Sequence, residues 1–282
     1  DILWYNACTL SDITLVKIAA KYKIPCRIVH SHNSENMGNK LAGLFHNIHR
    51  KCIFKCATEF FACSKEAASF MFHEYVKNVQ IINNAIQVEN YKFDNNIRQK
   101  VRNNLGLKNE ILLGHVGRFH TQKNHEFLID IFGETVKKRS SVRLLLIGDG
   151  SLKRKIQQLA KDKEIFDRII FLEKRTDVNE LLQAMDIFVF PSLFEGLGLA
   201  LIEAQAADLP CVIADTIPEA AILTEKVSVL SLDSPAKEWA DTVLESAEKY
   251  HNRNDRVDLL KQKRYDIAEN AELLKKYICS KY

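Results

Sequence analysis

Along the C-terminal two-thirds of the chain, short, mostly apolar runs alternate with segments whose apolar positions recur three and four residues apart. The runs are Ile111 to Val116, Val142 to Ile147, Ile169 to Leu172, Ile187 to Phe190 and Cys211 to Ala214. Their length and continuity suit strands buried on both faces. Between them Glu126 to Lys138, Lys153 to Lys161, Asn179 to Met185 and the Ala-rich Leu199 to Ala207 carry helical periodicity. Strands and helices in strict alternation predict an α/β fold with a doubly wound parallel sheet.

The first ninety residues carry a weaker version of this rhythm. Strands are expected at Cys26 to Val29, Glu59 to Cys63 and Val79 to Ile82, with a fourth near Ile2 to Tyr5. Helices are expected at Asn39 to Ala57, which is long and basic, and at Lys65 to Glu74. Asn83-Asn84-Ala85 breaks the pattern, and a polar stretch from Asp94 to Asn104 follows. The expected organisation is a first unit over 1–90, a linker over 91–106, a second unit over 107–263, and a helix over 264–282 packing back toward the first unit. Three or four strands are few for a doubly wound sheet, so the first unit reads as N-terminally truncated, with an open edge.

Composition narrows the classes. The 282 residues carry 40 Lys and Arg against 36 Asp and Glu, a near balance that argues against a nucleic-acid partner. Ten Gly and five Pro are too few for a linker-rich or many-turned all-β chain. No apolar run approaches the ~18 residues of a membrane-spanning helix. The seven cysteines are odd in number and scattered, which suits reduced thiols and a cytoplasmic setting.

In open α/β sheets ligands bind beyond the carboxyl ends of the strands, so the residues after each run carry the chemistry. After Val116 the loop reads Gly117-Arg118-Phe119-His120-Thr121-Gln122-Lys123-Asn124. A glycine that lets backbone approach an anion, a guanidinium, an ammonium and a following helix N-terminus outline a phosphate site. After Phe190 comes Pro191-Ser192-Leu193-Phe194-Glu195-Gly196-Leu197-Gly198-Leu199, leading to Glu203. The two carboxylates, about 12 Å of helix rise apart, cannot share a proton or one metal, but can hold two parts of one long ligand.

These motifs, together with Gly148-Asp149-Gly150, Asp186 to Phe190 and Ala204-Gln205-Ala206, resemble the retaining nucleotide-sugar glycosyltransferases of family 4, which have the GT-B fold. The likeness is greatest to bacterial enzymes of capsular and extracellular polysaccharide synthesis. It implies that Arg118 and Lys123 bind the donor diphosphate, that Glu195 meets the donor sugar, and that Glu203 meets the ribose hydroxyls. Gly117, Gly196, Leu197, Gly198 and Leu199 complete the implied donor site. His32, in the run His32-Asn33-Ser34 after the strand at Cys26, is implied to lie near the reacting sugar, and joins Arg118, Lys123 and Glu195 as the catalytic set. Two departures stand out: Glu173-Lys174-Arg175 replaces a glycine near the nucleobase, and Asp208 stands where the family usually has a helix-ending glycine. Only a local stability penalty is expected at Asp208.

His46, His49, Cys52 and Cys56 share one side of a helix, but one helix side rarely supplies four tetrahedral ligands, so no metal site is expected there. Lys40, Arg50, Lys51 and Lys55 on the same helix suit either anionic lipid or plain solvation. The implied activity is transfer of a sugar from a nucleotide diphosphate donor, UDP-linked, to a hydroxyl acceptor with retention. No cofactor or metal is expected. The implied acceptor is a lipid-linked glycan, with the enzyme cytoplasmic and peripheral at the inner face of the membrane. The competing readings are a catalytically inactive nucleotide-sugar-binding fragment and a nucleotide-sugar epimerase.

Overall fold

The computed structural model describes residues 1–33, 40–73 and 78–282. The expected helix ends at Asn39 and Glu74 lie outside the described residues. The chain forms two compact units, one of Asp1–Ala85 with Arg264–Tyr282, the other of Ile86–Lys263.

Unit 1 holds a parallel sheet of four strands among the described residues: β1 (Ile2–Ala7), β2 (Cys26–Ser31), β3 (Glu59–Ala62) and β4 (Gln80–Ile81), in that spatial order. Ile2 pairs with Cys26, Ile28 with Glu59 and Phe61 with Gln80. Helices α1 (Thr14–Lys21), α2 (Lys40–Arg50) and α3 (Lys65–Phe72) join them. The pleat sends Val29 to a core with Leu10, Ile13, Val16, Ile53, Met71 and Phe72. It sends Ile28 and Phe61 to the opposite face.

There the C-terminal helix Ile267–Lys281 lays Leu274, Tyr277 and Ile278. It is pinned at Glu59, which is buried and accepts hydrogen bonds from the Tyr277 hydroxyl (2.6 Å) and the Tyr282 hydroxyl (2.7 Å). Lys281 completes the set with an ion pair at 2.5 Å. Burial works to raise the Glu59 carboxyl, but these three donors outweigh it and hold the group below its ordinary value.

The long helix expected from Asn39 to Ala57 is shorter. α2 ends at Arg50, and a single 3-10 turn, Ile53–Lys55, follows. Ile53 is fully buried and Phe54 meets the Phe60 ring at 5.2 Å, so packing outweighs continuation through two poor helix formers.

Unit 2 opens with α4 (Asn95–Asn104) and then alternates β5 (Ile111–Val116), α5 (His125–Lys138), β6 (Val142–Ile147), α6 (Lys153–Asp162), β7 (Ile169–Leu172), α7 (Val178–Ala184), β8 (Ile187–Phe190), α8 (Leu199–Ala206), β9 (Cys211–Ala214), β10 (Val227–Leu230), α9 (Ala236–Lys249) and α10 (Val257–Gln262). All neighbouring strands are parallel, in the order β10-β9-β8-β5-β6-β7. The order reverses between β5 and β8, and that reversal opens a crevice at their carboxyl ends.

Residues 91–106, expected as a linker, contain α4. Asp94 caps its first turn by accepting from the amides of Asn96 and Ile97. Arg98 donates to the carbonyls of Gln183, Ala184 and Met185 at the end of α7, and Arg98 and Arg102 both pair with Asp186. These bonds satisfy carbonyls that the helix end leaves open, and they make the segment part of unit 2.

Asp208 sits at φ 53°, in the left-handed region, as its replacement of a glycine requires. Its carboxylate is fully buried and pairs with Lys226 (2.8 Å) and Arg256 (2.7 Å). The expected penalty is therefore only half of the account, because the side chain that strains the backbone also joins three segments of unit 2. Among the described residues no helix is long and apolar enough to cross a membrane.

Candidate active site

The crevice is built by the loops after β5 and β8. After Val116, Gly117 leads into an exposed Arg118 and a fully buried Phe119, then into a 3-10 turn over Thr121–Lys123. Asn124, left-handed at φ 52°, redirects the chain into α5. The backbone of this loop is clamped from the side by Gly148-Asp149-Gly150. The Phe119 amide donates to the Asp149 carbonyl at 3.0 Å, and Gly148 and Gly150 have φ of 151° and 153°. A Cβ on Gly148 would stand 2.1 Å from the Gly117 carbonyl oxygen, and one on Gly150 2.5 Å from that of Phe119. Only glycine permits both the angle and the approach.

From the other side Leu193 donates its amide to the Gln122 carbonyl (2.8 Å), while the Gln122 side-chain amide reaches the Phe194 carbonyl (3.0 Å). The two loops thus meet, and Lys123 and Glu195 form an ion pair at 2.6 Å with the two side chains 15% and 6% exposed. The Lys123 ammonium also lies 4.6 Å from the Phe190 ring centre, an arrangement that favours the cation. Gly198, at φ 77°, caps α8, and a Cβ there would stand 3.6 Å from the Glu195 side chain. Gly196 lies in the bend before it, Leu197 is buried, and Leu199 is partly exposed at the first helical position. Arg118, Lys123, Glu195 and the positive end of α8 therefore gather at one end of the sheet.

Glu203 sits further along α8. Its carboxyl accepts a hydrogen bond from the Tyr91 hydroxyl, and burial raises it above its ordinary value against the opposing pull of that bond. Burial, with the Glu203 charge second, raises the Tyr91 phenol too. Tyr91 was not singled out from the sequence: a lone aromatic in a polar stretch carries no periodic signal, and only the fold brings it to α8. Gln122 stood in the motif without a role, and the fold makes it the tie between the two loops.

Beneath the loop, His115 and His125 are buried. His115 donates from Nδ1 to the Val189 carbonyl at 2.9 Å, and His125 stacks on Phe119 with ring centres 4.3 Å apart. Burial, reinforced by Lys123, lowers His125 to about 4, so it is neutral near pH 7.

His32 lies in unit 1 just beyond β2, with Nε2 3.0 Å from Asn6 Oδ1. The same oxygen receives the Trp4 indole N–H at 3.1 Å. Because an indole only donates, the Asn6 atom facing it is oxygen, so His32 donates to it from Nε2. Burial lowers His32 against a supporting bond from Asn84. On α2, His46 Nδ1 accepts from the Leu10 amide (3.0 Å) and His49 Nδ1 bonds the Leu10 carbonyl (2.7 Å), so both rings anchor the β1–α1 loop.

Two parallel α/β sheets, one with its crevice at the reversal of strand order, define the architecture of GT-B glycosyltransferases. HepE of Anabaena, solved in complex with UDP, is similar in fold at a TM-score of 0.81 and 19% identity, over 99% of this chain and 79% of that one. Residues 110–249 match the family described as glycosyl transferases group 1. EpsF of Bacillus subtilis (strain 168), named as a glycosyltransferase, is 31% identical over 89% of this chain and 67% of its own length. The UDP-Gal:alpha-D-GlcNAc-diphosphoundecaprenol alpha-1,3-galactosyltransferase of Escherichia coli is 30% identical over 73% of this chain and 61% of its own. The chain belongs to the group 1 glycosyltransferases, with relatives in polysaccharide biosynthesis, and is a glycosyltransferase enzyme.

Proposed function

We propose that the protein transfers a sugar from a UDP-linked donor to a hydroxyl of a lipid-linked glycan in polysaccharide synthesis, with retention of anomeric configuration, in the cytoplasm. The observation that carries this reading is the meeting of the Gly117–Asn124 loop with Glu195 and the α8 N-terminus, where the Lys123–Glu195 pair spans 2.6 Å. Relatives support the donor and acceptor: HepE is solved in complex with UDP, and the E. coli relative acts on a diphosphoundecaprenol-linked sugar.

In this mechanism the diphosphate lies across the loop after β5. Arg118 offers a two-pronged contact to its oxygens, Lys123 a point charge, and the first-turn amides of α8 the positive end of a helix. All three act most strongly as the sugar–phosphate bond breaks and charge gathers on the departing oxygen. Glu195 orients the sugar through its hydroxyls, and Glu203 holds the ribose. The acceptor hydroxyl attacks from the face the diphosphate leaves, giving its proton to the leaving phosphate, so configuration is kept without a covalent enzyme intermediate. The resemblance assigns an assisting role at the sugar to His32. The fit needs no metal, since cationic side chains and amides neutralise the diphosphate.

The test is incubation with a panel of UDP-sugars and an undecaprenyl-diphosphate-linked acceptor, with products resolved by mass spectrometry and the anomeric linkage read by NMR. A new glycoside of retained configuration is expected. An epimerised nucleotide sugar, or binding without turnover, would sink this assignment.

A further inference from the structure

α2 is an amphipathic helix turned inside out. Leu41, Leu44, Phe45 and Ile48 fall at i, i+3, i+4 and i+7 and form one stripe, yet each is between 43% and 61% exposed. The side chain it buries is His46, held with His49 on the Leu10 backbone. Those two hydrogen bonds fix the helix rotation, so the apolar stripe faces outward because polar groups are used inward. α1, joined to α2 through the same loop, repeats the arrangement: Val16 and Ala19 are buried, while Leu15, Ile18 and Tyr22 are exposed.

Lysines fringe both stripes. Lys17, Lys21 and Lys23 stand at α1, and Lys40, Lys51 and Lys55 at α2, all exposed. Residues 14–57 hold eight Lys and Arg against a single acidic residue, Glu35, whereas the whole chain is nearly balanced at +4. A stripe of large apolar side chains bordered by long cationic ones matches the boundary between acyl chains and anionic headgroups. Apolar area alone would suit any partner. The local excess of positive charge selects a negatively charged one.

We propose that the α1–α2 face of unit 1 docks on an anionic lipid bilayer, with Leu44, Phe45 and Ile48 entering the headgroup region and the flanking lysines pairing with lipid phosphates. This surface is independent of the donor site, and its test reads binding without any sugar donor.

The experiment is co-sedimentation of the full 282-residue chain with vesicles of phosphatidylglycerol and phosphatidylcholine, against vesicles of phosphatidylcholine alone. Binding to the anionic vesicles that weakens with salt is expected, with little to the neutral ones. Leu44→Glu with Ile48→Glu should reduce that binding by more than about tenfold, and Lys51→Glu with Lys55→Glu by about fivefold for each charge removed. Because all four positions are exposed, thermal melting should be unchanged, and a matching melt confirms that each variant is folded. Failure of the parent chain to bind anionic vesicles would overturn the proposal, as would equal binding to both lipids. So would a concentration-dependent dimer, seen by sedimentation velocity and abolished by Leu44→Glu, because the stripe would then belong to a second copy of the chain.

Discussion

Lys123 and Glu195, 72 residues apart, are bonded to each other at 2.6 Å in a setting where both side chains are largely buried. In the proposed function, the group that would bind diphosphate is thus held by the group that would bind sugar. On that proposal, donor entry divides this pair between the two ends of one ligand. Glu195→Ala is therefore expected to leave the affinity for free UDP within about twofold, since Lys123 is released for the phosphates, while affinity for the intact UDP-sugar falls by on the order of 1.5–3 kcal/mol. Titration calorimetry with both ligands checks this, and equal losses for both would refute the division of roles.

Glu203 should behave in the opposite way. Its raised carboxyl means that above the ordinary value of 4.5 the unfolded chain releases the proton before the folded one does. Stability is then lost as pH rises through that window. Glu203→Gln removes the buried charge and keeps an acceptor for Tyr91, so it should raise the melting temperature at pH 7 with no gain at pH 4. The same variant should weaken UDP itself by about 1.5–3 kcal/mol through the ribose hydroxyls. Melts at the two pH values and UDP titration separate the effects, and a lowered melting temperature at pH 7 would contradict the account.

His125 should make the protein acid-sensitive. With its folded value near 4 against 6.5 for the free side chain, the unfolded state binds the extra proton between those limits. Its contribution is intact above pH 6.5 and declines as pH falls toward 4. Over that range the slope approaches about 1.4 kcal/mol per pH unit for one proton. His125→Phe, which keeps the stack on Phe119, should remove that increment from the pH dependence of urea unfolding. An unchanged slope would show that other groups govern acid unfolding.

The strands of unit 2 were legible because parallel strands covered on both faces are apolar at most positions, with Arg143 of β6 and His115 of β5 as exceptions. β5 to β9 appear where the runs are. β10 was not legible: Val227-Ser228-Val229-Leu230 is an edge strand whose Ser228 interrupts the run. α1 was missed for a related reason, since Leu15, Ile18 and Tyr22 lie on its exposed side and blur the buried period of Val16 and Ala19. At the site, Glu195 and Lys123 were visible through loops that follow strands, whereas Tyr91 reaches Glu203 only through tertiary packing.

Asp208 illustrates a substitution whose cost and benefit sit on the same residue. Asp208→Gly should relieve the left-handed backbone yet leave Lys226, 6% exposed, and Arg256 without their shared buried carboxylate. The net expectation is a loss of about 3–5 kcal/mol in urea unfolding. A variant as stable as the parent would mean that the ion pairs contribute nothing beyond offsetting their own desolvation.

The helix that pins Glu59 comes from the far end of the chain, so unit 1 is discontinuous in sequence while unit 2 is not. During synthesis the strands of unit 1 emerge before unit 2, but Cys26, Ile28 and Phe61 gain their cover only when residues 267–281 have been translated. Unit 2 can close on its own while unit 1 waits with one face of its sheet open, which makes the nascent unit 1 the stage at which a chaperone would be needed most.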